Sequence, residues 1–463
     1  MILEELARFG VRPAGALPDA VVTAAVESFV DTVGVVVQGS ATPVGQIALR
    51  YALDTGPGES LLAAGGVRSP AIASLANATA AHAQDFDDAT TQVLSGHVSA
   101  VLVPVAFAAG QATGASGAEM IEAYVHGYEV VIALARGVNP YHYEVGFHPT
   151  GTLGTFGAAV TAARLFGLTE RQTAHALGIA ASFASGIKAN FGTMTKPLHC
   201  GWSAHGGVVA ALLARHGHEA NPGAYEADQG FGPLYGGPNW RTDEVLAGLG
   251  TDWALVNPGV TLRKLWPCCG SLLTTIEATQ NLVDGRPVDP DDILELHCGV
   301  HERRLPHTNR PGAKAGHEGR FSLQYVTAAS ALGRRMTEDD FTDQAVSDPV
   351  VQALMARTTV VGDPRQTGRT TLMDGKDFGA VVRMRLKDGS TRESVVDFPR
   401  GSSARPLTMA EIATKFDQCV APRLGQSRSD EILRQLQALP DLPDSRSIRF
   451  DAEGATDARD IIS

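Results

Sequence analysis

Val98-Ser99-Ala100-Val101-Leu102-Val103-Pro104-Val105-Ala106-Phe107-Ala108-Ala109 decides the fold class. Residues 98–109 carry no charge, and Ser99 is their single hydroxyl, so the stretch is apolar on every face. A helix of that kind belongs in the centre of a large bundle. The uncharged region around it, Ala89 to Ala118, is the best membrane candidate in the chain. Its apolar part is only about a dozen residues, short of the ~20 that span a bilayer. The stretch therefore reads as a buried helix of a soluble protein with no membrane partner, and the expected location is cytoplasmic. Met1 to Pro13, with Glu4, Glu5 and Arg8, lacks a secretory apolar core.

Working outward, the pattern from the start to about Trp266 stays helical and rich in small residues. Helices are predicted over Ala20–Val37, Glu119–Ala135, Gly154–Phe166, Glu170–Gly186 and Ser203–His216. Ser116 and Thr169 supply N-terminal caps. After the turn Trp266-Pro267-Cys268-Cys269-Gly270 the pattern changes. Ile293–Val300 alternates, Arg357–Val361 is β-branched, and Ala380–Leu386 and Thr391–Phe398 flank Lys387-Asp388-Gly389-Ser390, a hairpin signal. Helical segments are expected at Leu323–Leu332 and near Asp348–Met355, and again at Thr408–Cys419 and Asp430–Leu439; the charged tail after Asp444 is expected to be loose. The fold class is mainly α: a large all-helical domain built from both chain ends (1–266 and 400–463), with an inserted smaller α+β lid domain (267–399).

Composition narrows the function. The chain has 463 residues, 50 of them glycine, only 19 % charged residues and a formal net charge of −12. That excludes a disordered chain, a coiled coil and a collagen. An acidic chain without a Lys/Arg run is no candidate for nucleic acid, and an anionic substrate needs a locally positive pocket. The five cysteines, two of them adjacent (Cys268 and Cys269), contain no C-x-x-C pair and fit free thiols in a reducing compartment. No phosphate-binding loop, H-E-x-x-H or G-x-S-x-G is present, and the histidine spacings support no metal site, so neither metal nor cofactor is expected. The glycine run Gly151–Gly157 reads as close helix packing.

Four polar clusters interrupt the apolar helices. They are His82-Ala83-Gln84-Asp85-Phe86-Asp87-Asp88 with Thr90, Thr91 and His97; His142 to Thr150; Asn190 to His199; and Arg263-Lys264-Leu265-Trp266-Pro267-Cys268-Cys269. Singly, each has an ordinary structural role: Asp85 as a helix cap, His148 as a loop histidine, Lys196 as a turn residue, Lys264 as a rim charge. Together they supply histidines, acid groups and two lysines. Those groups are what proton removal next to a carboxylate requires, because the intermediate gathers negative charge.

On Ala81 to Asp88, Gly146 to Gly154, Asn190 to Pro197, Lys264 to Cys269, Arg320-Phe321-Ser322-Leu323-Gln324-Tyr325 and Arg405 to Thr408, the sequence resembles the MmgE/PrpD family. The family includes 2-methylcitrate dehydratase, cis-aconitate decarboxylase and iminodisuccinate epimerase. The resemblance implies a helical domain with a lid partly similar to chorismate mutase, an active site between the domains, no metal, and a homodimer. It implies active-site roles for Asp85, His97, His148 and Lys196. Two positions depart from the decarboxylase branch: Ala89 replaces a threonine, for which Thr90 or Thr91 would substitute, and Cys269 replaces a histidine. The loop around Tyr143 looks closer to the epimerase branch, making Tyr143 either a candidate acid or base or an ordinary loop aromatic.

The expectation is a metal-independent lyase on a small di- or tricarboxylate, with dehydration as the leading reaction. His148 or Asp85 takes the proton, Lys196 and Lys264 hold carboxylates, and His97 protonates the leaving hydroxyl. Arg263, Cys269 and Thr90 are expected to touch substrate. The alternatives are an epimerase using Tyr143 and Lys196, a decarboxylase, and a binding protein that kept the fold.

Overall fold

Small residues let helices approach closely, and the N-terminal half uses them for that purpose. The computed structural model describes residues 1–451 apart from positions 14, 16, 64, 91–92, 258–260, 285–287, 368–377 and 403. The described chain divides into two units, one formed by Met1–Ala83, Asp87–Thr261 and the chain from Thr408 onward, the other by Gln84–Phe86 and Leu262–Leu407.

The first unit is helical. Its helices include α1 (Ile2–Gly10), α2 (Asp19–Ser40), α3 (Pro43–Leu53), α4 (Pro70–Ala81), α5 (Ser99–Thr113), α6 (Gly117–Val138), α7 (Tyr141–Val145), α8 (Pro149–Leu165), α9 (Glu170–Phe183) and α10 (Thr195–Arg215). Ser116 and Thr169 cap α6 and α9 through reciprocal bonds with Glu119 and Gln172. α5 is buried from Ser99 to Gln111, as its all-round apolar sequence requires. The glycines sit at crossings. A Cβ on Gly157 of α8 would stand 2.4 Å from Val131 of α6, and one on Gly207 of α10 would stand 2.3 Å from Ala158 of α8. The run Gly151–Gly157 is therefore helix packing, as read from the sequence.

The C-terminal helix Met409–Leu424 packs on α2, joined by the buried ion pair Lys415–Asp31 (2.7 Å). The fold is mainly α, with a helical unit built from both chain ends. Three sequence expectations need correction. First, α1, α3 and α4 have no counterpart in the sequence reading. Second, the stretch after Asp444 is not loose as far as Asp451: Ile448 and Phe450 are buried, and the Phe450 ring meets Phe107 at 5.2 Å between centroids. Residues 452–463, the rest of that tail, lie outside the described residues. Third, among the described residues the helix long and apolar enough to cross a membrane by length and composition is α2, not the region 89–118, and most of α2 is buried within its unit.

The second unit is α+β. Its four-stranded sheet has the order Thr358–Gly362, Ile293–Val300, Ala380–Leu386, Thr391–Val396. The first pair is parallel and the others antiparallel. Gly389 at φ +84° turns the hairpin, and the Asp388 carboxylate accepts from the Ser390 amide at 2.8 Å. Helices Leu273–Val283 and Leu323–Ala331 pack together beside this sheet.

Candidate active site

Four helix ends in the first unit bring one polar group together. α4 stops at Ala81 and leaves His82 at its C-terminal cap. His97 stands two residues before α5, where its amide donates to Thr150 Oγ1 of α8 at 2.9 Å. His148 precedes Pro149 as the N-terminal cap residue of α8, its amide bonded to the Gly186 carbonyl at 3.0 Å. Lys196 and His199 lie one turn apart at the start of α10, so both point to the same, buried side.

Asp87 organises this group. Its side chain is fully buried, with Oδ1 2.8 Å from His82 Nδ1 and Oδ2 3.0 Å from His97 Nδ1. The His97 Nδ1–H is aimed at the Asp88 carbonyl, 2.9 Å away. Burial would push the Asp87 carboxyl up, but the two imidazoles beside it, His82 foremost, hold it well below the ordinary range. His82 behaves oppositely. Burial lowers its pKa to about 3 against the pull of Asp87, with Lys196 and His97 adding to the fall.

His148 and His199 face each other, Nδ1 to Nδ1, at 2.9 Å. Burial, then the Lys196 ammonium, holds His148 well below the usual imidazole range, and the same two causes bring His199 down to about 4. The Phe191 ring meets His148 edge-on (4.8 Å between centroids) and the Lys196 ammonium at 5.3 Å. His82, His148 and His199 are thus neutral at pH 7, next to a buried lysine.

Other predicted positions have different surroundings. Thr90 is buried and bonded to the Tyr128 hydroxyl at 3.2 Å, while Thr91 lies outside the described residues. Tyr143 on α7 is half-buried, with the Lys188 ammonium 3.6 Å from its ring centroid and bonded to its carbonyl at 2.9 Å. His142 is a packing residue. Its nitrogens meet the Tyr235 carbonyl (3.3 Å) and Thr152 Oγ1 (2.7 Å), and its ring stacks on Phe147.

Asp85, Lys264, Cys269 and Arg263 belong to the second unit. Lys264 is fully buried and donates to both the carboxylate (2.5 Å) and the carbonyl (2.6 Å) of Asp85. That double contact holds Asp85 at φ +53°, a conformation aspartate tolerates better than most residues. Arg320 is buried and binds the Gln84 and Pro267 carbonyls and the Glu338 carboxylate. Cys269 is half-buried, its amide bonded to the Arg320 carbonyl at 3.0 Å. Arg263 is half-buried, its amide on the Gly401 carbonyl at 2.9 Å.

The sequence-derived candidates thus fall into two sets, His97, His148, Lys196, Thr90 and Tyr143 in one unit and Asp85, Lys264, Cys269 and Arg263 in the other. The structure adds His82, Asp87 and His199 to the first. His199 has a signal in sequence, its position three residues after Lys196 on one helix. The pairing of His82 with Asp87 has none, because the loop conformation after α4 creates it. Among the described residues, atoms of His82, Asp87 and His97 lie within 4.8 Å of one another, near enough to suggest a metal. Asp87 Oδ1, however, is hydrogen-bonded to His82 Nδ1 at 2.8 Å, while Oδ2 stands 3.0 Å from His97 Nδ1 without a hydrogen bond of its own. Neutral imidazoles accept protons, and a buried ammonium stabilises a carboxylate or enolate.

The relatives of this chain carry enzyme names. It is 28% identical over 443 residues to the cis-aconitate decarboxylase of Homo sapiens, covering 93% of this chain and 90% of that protein. It is 26% identical over 392 residues to the cis-aconitate decarboxylase of Aspergillus terreus (78% and 77% covered). It is also 26% identical over 344 residues to the 2-methylcitrate dehydratase of Cupriavidus necator (70% and 68% covered). The MmgE/PrpD N-terminal domain matches residues 4–242 and the MmgE/PrpD C-terminal domain residues 266–439. With both domains matched in order, the chain belongs to the MmgE/PrpD family.

Proposed function

We propose that this protein is a metal-independent lyase acting on a small di- or tricarboxylate, with dehydration as its reaction. The observation that carries the reading is the His148–His199 pair beside Lys196, two neutral imidazoles and one cation in a buried setting. His148 accepts the proton α to a carboxylate. The electron pair of the broken C–H bond forms the new double bond as the β-hydroxyl departs. Lys196, on the first turn of α10 where the helix dipole is positive, holds the carboxylate on which charge gathers. His97, with 12% of its side chain exposed, exchanges protons with solvent and supplies one to the departing hydroxyl, which leaves as water.

Decarboxylation is the second reading. It is favoured by the alignment with human cis-aconitate decarboxylase, which spans 93% of this chain against 70% for the dehydratase. Ala89 and Cys269, which depart from that branch, weigh the other way. An NMR screen of citrate, 2-methylcitrate, cis-aconitate, tartrate and iminodisuccinate in heavy water separates the readings. An alkene formed with loss of water supports dehydration, and released carbon dioxide supports decarboxylation. Deuterium in an otherwise unchanged carbon skeleton, with the stereocentre inverted, points to an epimerase. No change in any compound overturns the lyase reading, and activity lost to EDTA and restored by one added metal overturns metal independence.

A further inference from the structure

We infer that His82 is a second proton-transfer group of this site and that Asp87 is the residue that positions it. This rests on the lyase reading and deepens it. The Asp87 carboxylate is an acceptor only, so the His82 Nδ1 facing it at 2.8 Å carries the proton. A neutral imidazole protonated on Nδ1 has its lone pair on Nε2. That Nε2 is buried and has no hydrogen-bond partner among the described residues. His142, a packing residue, has partners for both nitrogens, whereas His175 and His297 each also leave one nitrogen unpartnered. What sets His82 apart is an unpartnered Nε2 together with Asp87 on Nδ1 and with His97, His148 and Lys196 around the ring.

The His82 ring is 4.3 Å from His97 and 6.2 Å from His148, centroid to centroid. Among the described residues of the first unit, the charged and titratable groups that face it are Asp87, His97, His148 and Lys196. The surroundings are therefore those of the proposed site, and the unpartnered nitrogen is a place for a substrate proton. The proton concerned is the one α to the carboxylate: where it goes to His82 Nε2 rather than to His148, the electron pair of the broken C–H bond forms the double bond as the β-hydroxyl departs. The imidazolium so formed is neutralised by Asp87, which keeps its own charge. The proton then leaves to solvent or returns to the product. His97 directs its Nδ1–H to the Asp88 carbonyl, with Asp87 Oδ2 3.0 Å from the same nitrogen.

The first test needs no substrate. Protein labelled with ¹⁵N in histidine, read at pH 7.5 by long-range proton–nitrogen correlation, should show His82 as the neutral Nδ1–H form. Its signal is identified by its loss in His82→Gln. An Nε2–H form or an imidazolium at His82 overturns the inference. Asp87→Asn should remove the single-tautomer signal; an unchanged spectrum also overturns it. The second test uses whichever carboxylate of the screen turns over. His82→Gln should lower kcat by about 100-fold or more with KM within about threefold of wild type. Asp87→Glu should retain more activity than Asp87→Asn, and Asp87→Asn should move the acidic limb of the kcat profile. A His82→Gln enzyme with wild-type kcat sinks the inference and leaves the lyase reading standing. If no carboxylate reacts, the lyase reading and the inferred role of His82 in turnover fall together, while the wild-type tautomer alone reports how Asp87 orients the ring.

Discussion

His148 and His199 meet through their Nδ1 atoms at 2.9 Å, so one of the two rings donates and the other accepts. The contact exists only while at least one ring is neutral, and it fixes opposite tautomers in the two. His199 therefore decides which nitrogen His148 presents. Replacing His199 with Phe keeps an aromatic ring but removes the partner. The expected result is a fall in kcat of about tenfold or more, smaller than the roughly 100- to 10,000-fold loss for His148→Ala. Steady-state kinetics on both variants checks the order, and equal losses would contradict it.

Acid should destabilise this protein before its carboxylates are fully titrated. Burial lowers His82 and His126 to about 3 and His142 and His199 to about 4, against about 6.5 in an unfolded chain. Between those values the unfolded chain binds more protons, so stability rises with pH there and is lost as pH falls from 6.5 toward 4. Glu129 acts in reverse. Burial raises it to about 7 against its bonds to the Ala254 and Leu255 amides, so its contribution falls as pH rises from about 4.5 to 7. Four histidines outweigh one glutamate. Urea midpoints should be lower at pH 5 than at pH 7, and a flat profile would count against the buried neutral histidines.

Within the second unit, Lys264→Met should cost about 3–5 kcal/mol, since it leaves the Asp85 carboxylate buried without its ammonium. Asp85→Asn combined with Lys264→Met should cost less than Lys264→Met alone, because asparagine tolerates φ +53° and carries no charge. A double-mutant cycle by denaturant unfolding measures the difference. Additive losses would mean that the two residues act independently.

Gly207 is where α10 touches α8. A valine there has no room, since even a Cβ stands 2.3 Å from that of Ala158 and 2.6 Å from the Ala159 amide nitrogen. Gly207→Val should destabilise by about 1–3 kcal/mol or more, read as a lower thermal midpoint. Gly217, in the turn after α10, has nothing within 4 Å of an added Cβ but sits at φ +92°. There Gly217→Asn should be milder than Gly207→Val.

The strands were legible because their signals are local. Ile293–Val300 and Ala380–Leu386 follow alternation and an Asp-Gly turn, and the structure has both to the residue. α4 was not legible: every residue from Pro70 to Ala81 except Ile72 is buried, so its Ala, Asn and Thr show no polar face to contrast with an apolar one. At the site, His142 and His148 look alike in sequence, six residues apart in one loop. Only the three-dimensional partners separate them, two satisfied nitrogens on the first and a second imidazole on the other. The sequence presents Lys264 as a cation for substrate, and the structure gives its ammonium Asp85, 179 positions away in the chain.

The tripeptide Gln84–Phe86 belongs to the second unit although the chain on either side of it belongs to the first. The second unit is therefore not a transferable cassette. A gene fragment starting near Leu262 would encode Lys264 and Arg320 but not the Asp85 carboxylate and the Gln84 carbonyl that they bind. Such a fragment would leave the Lys264 ammonium without the carboxylate that neutralises it.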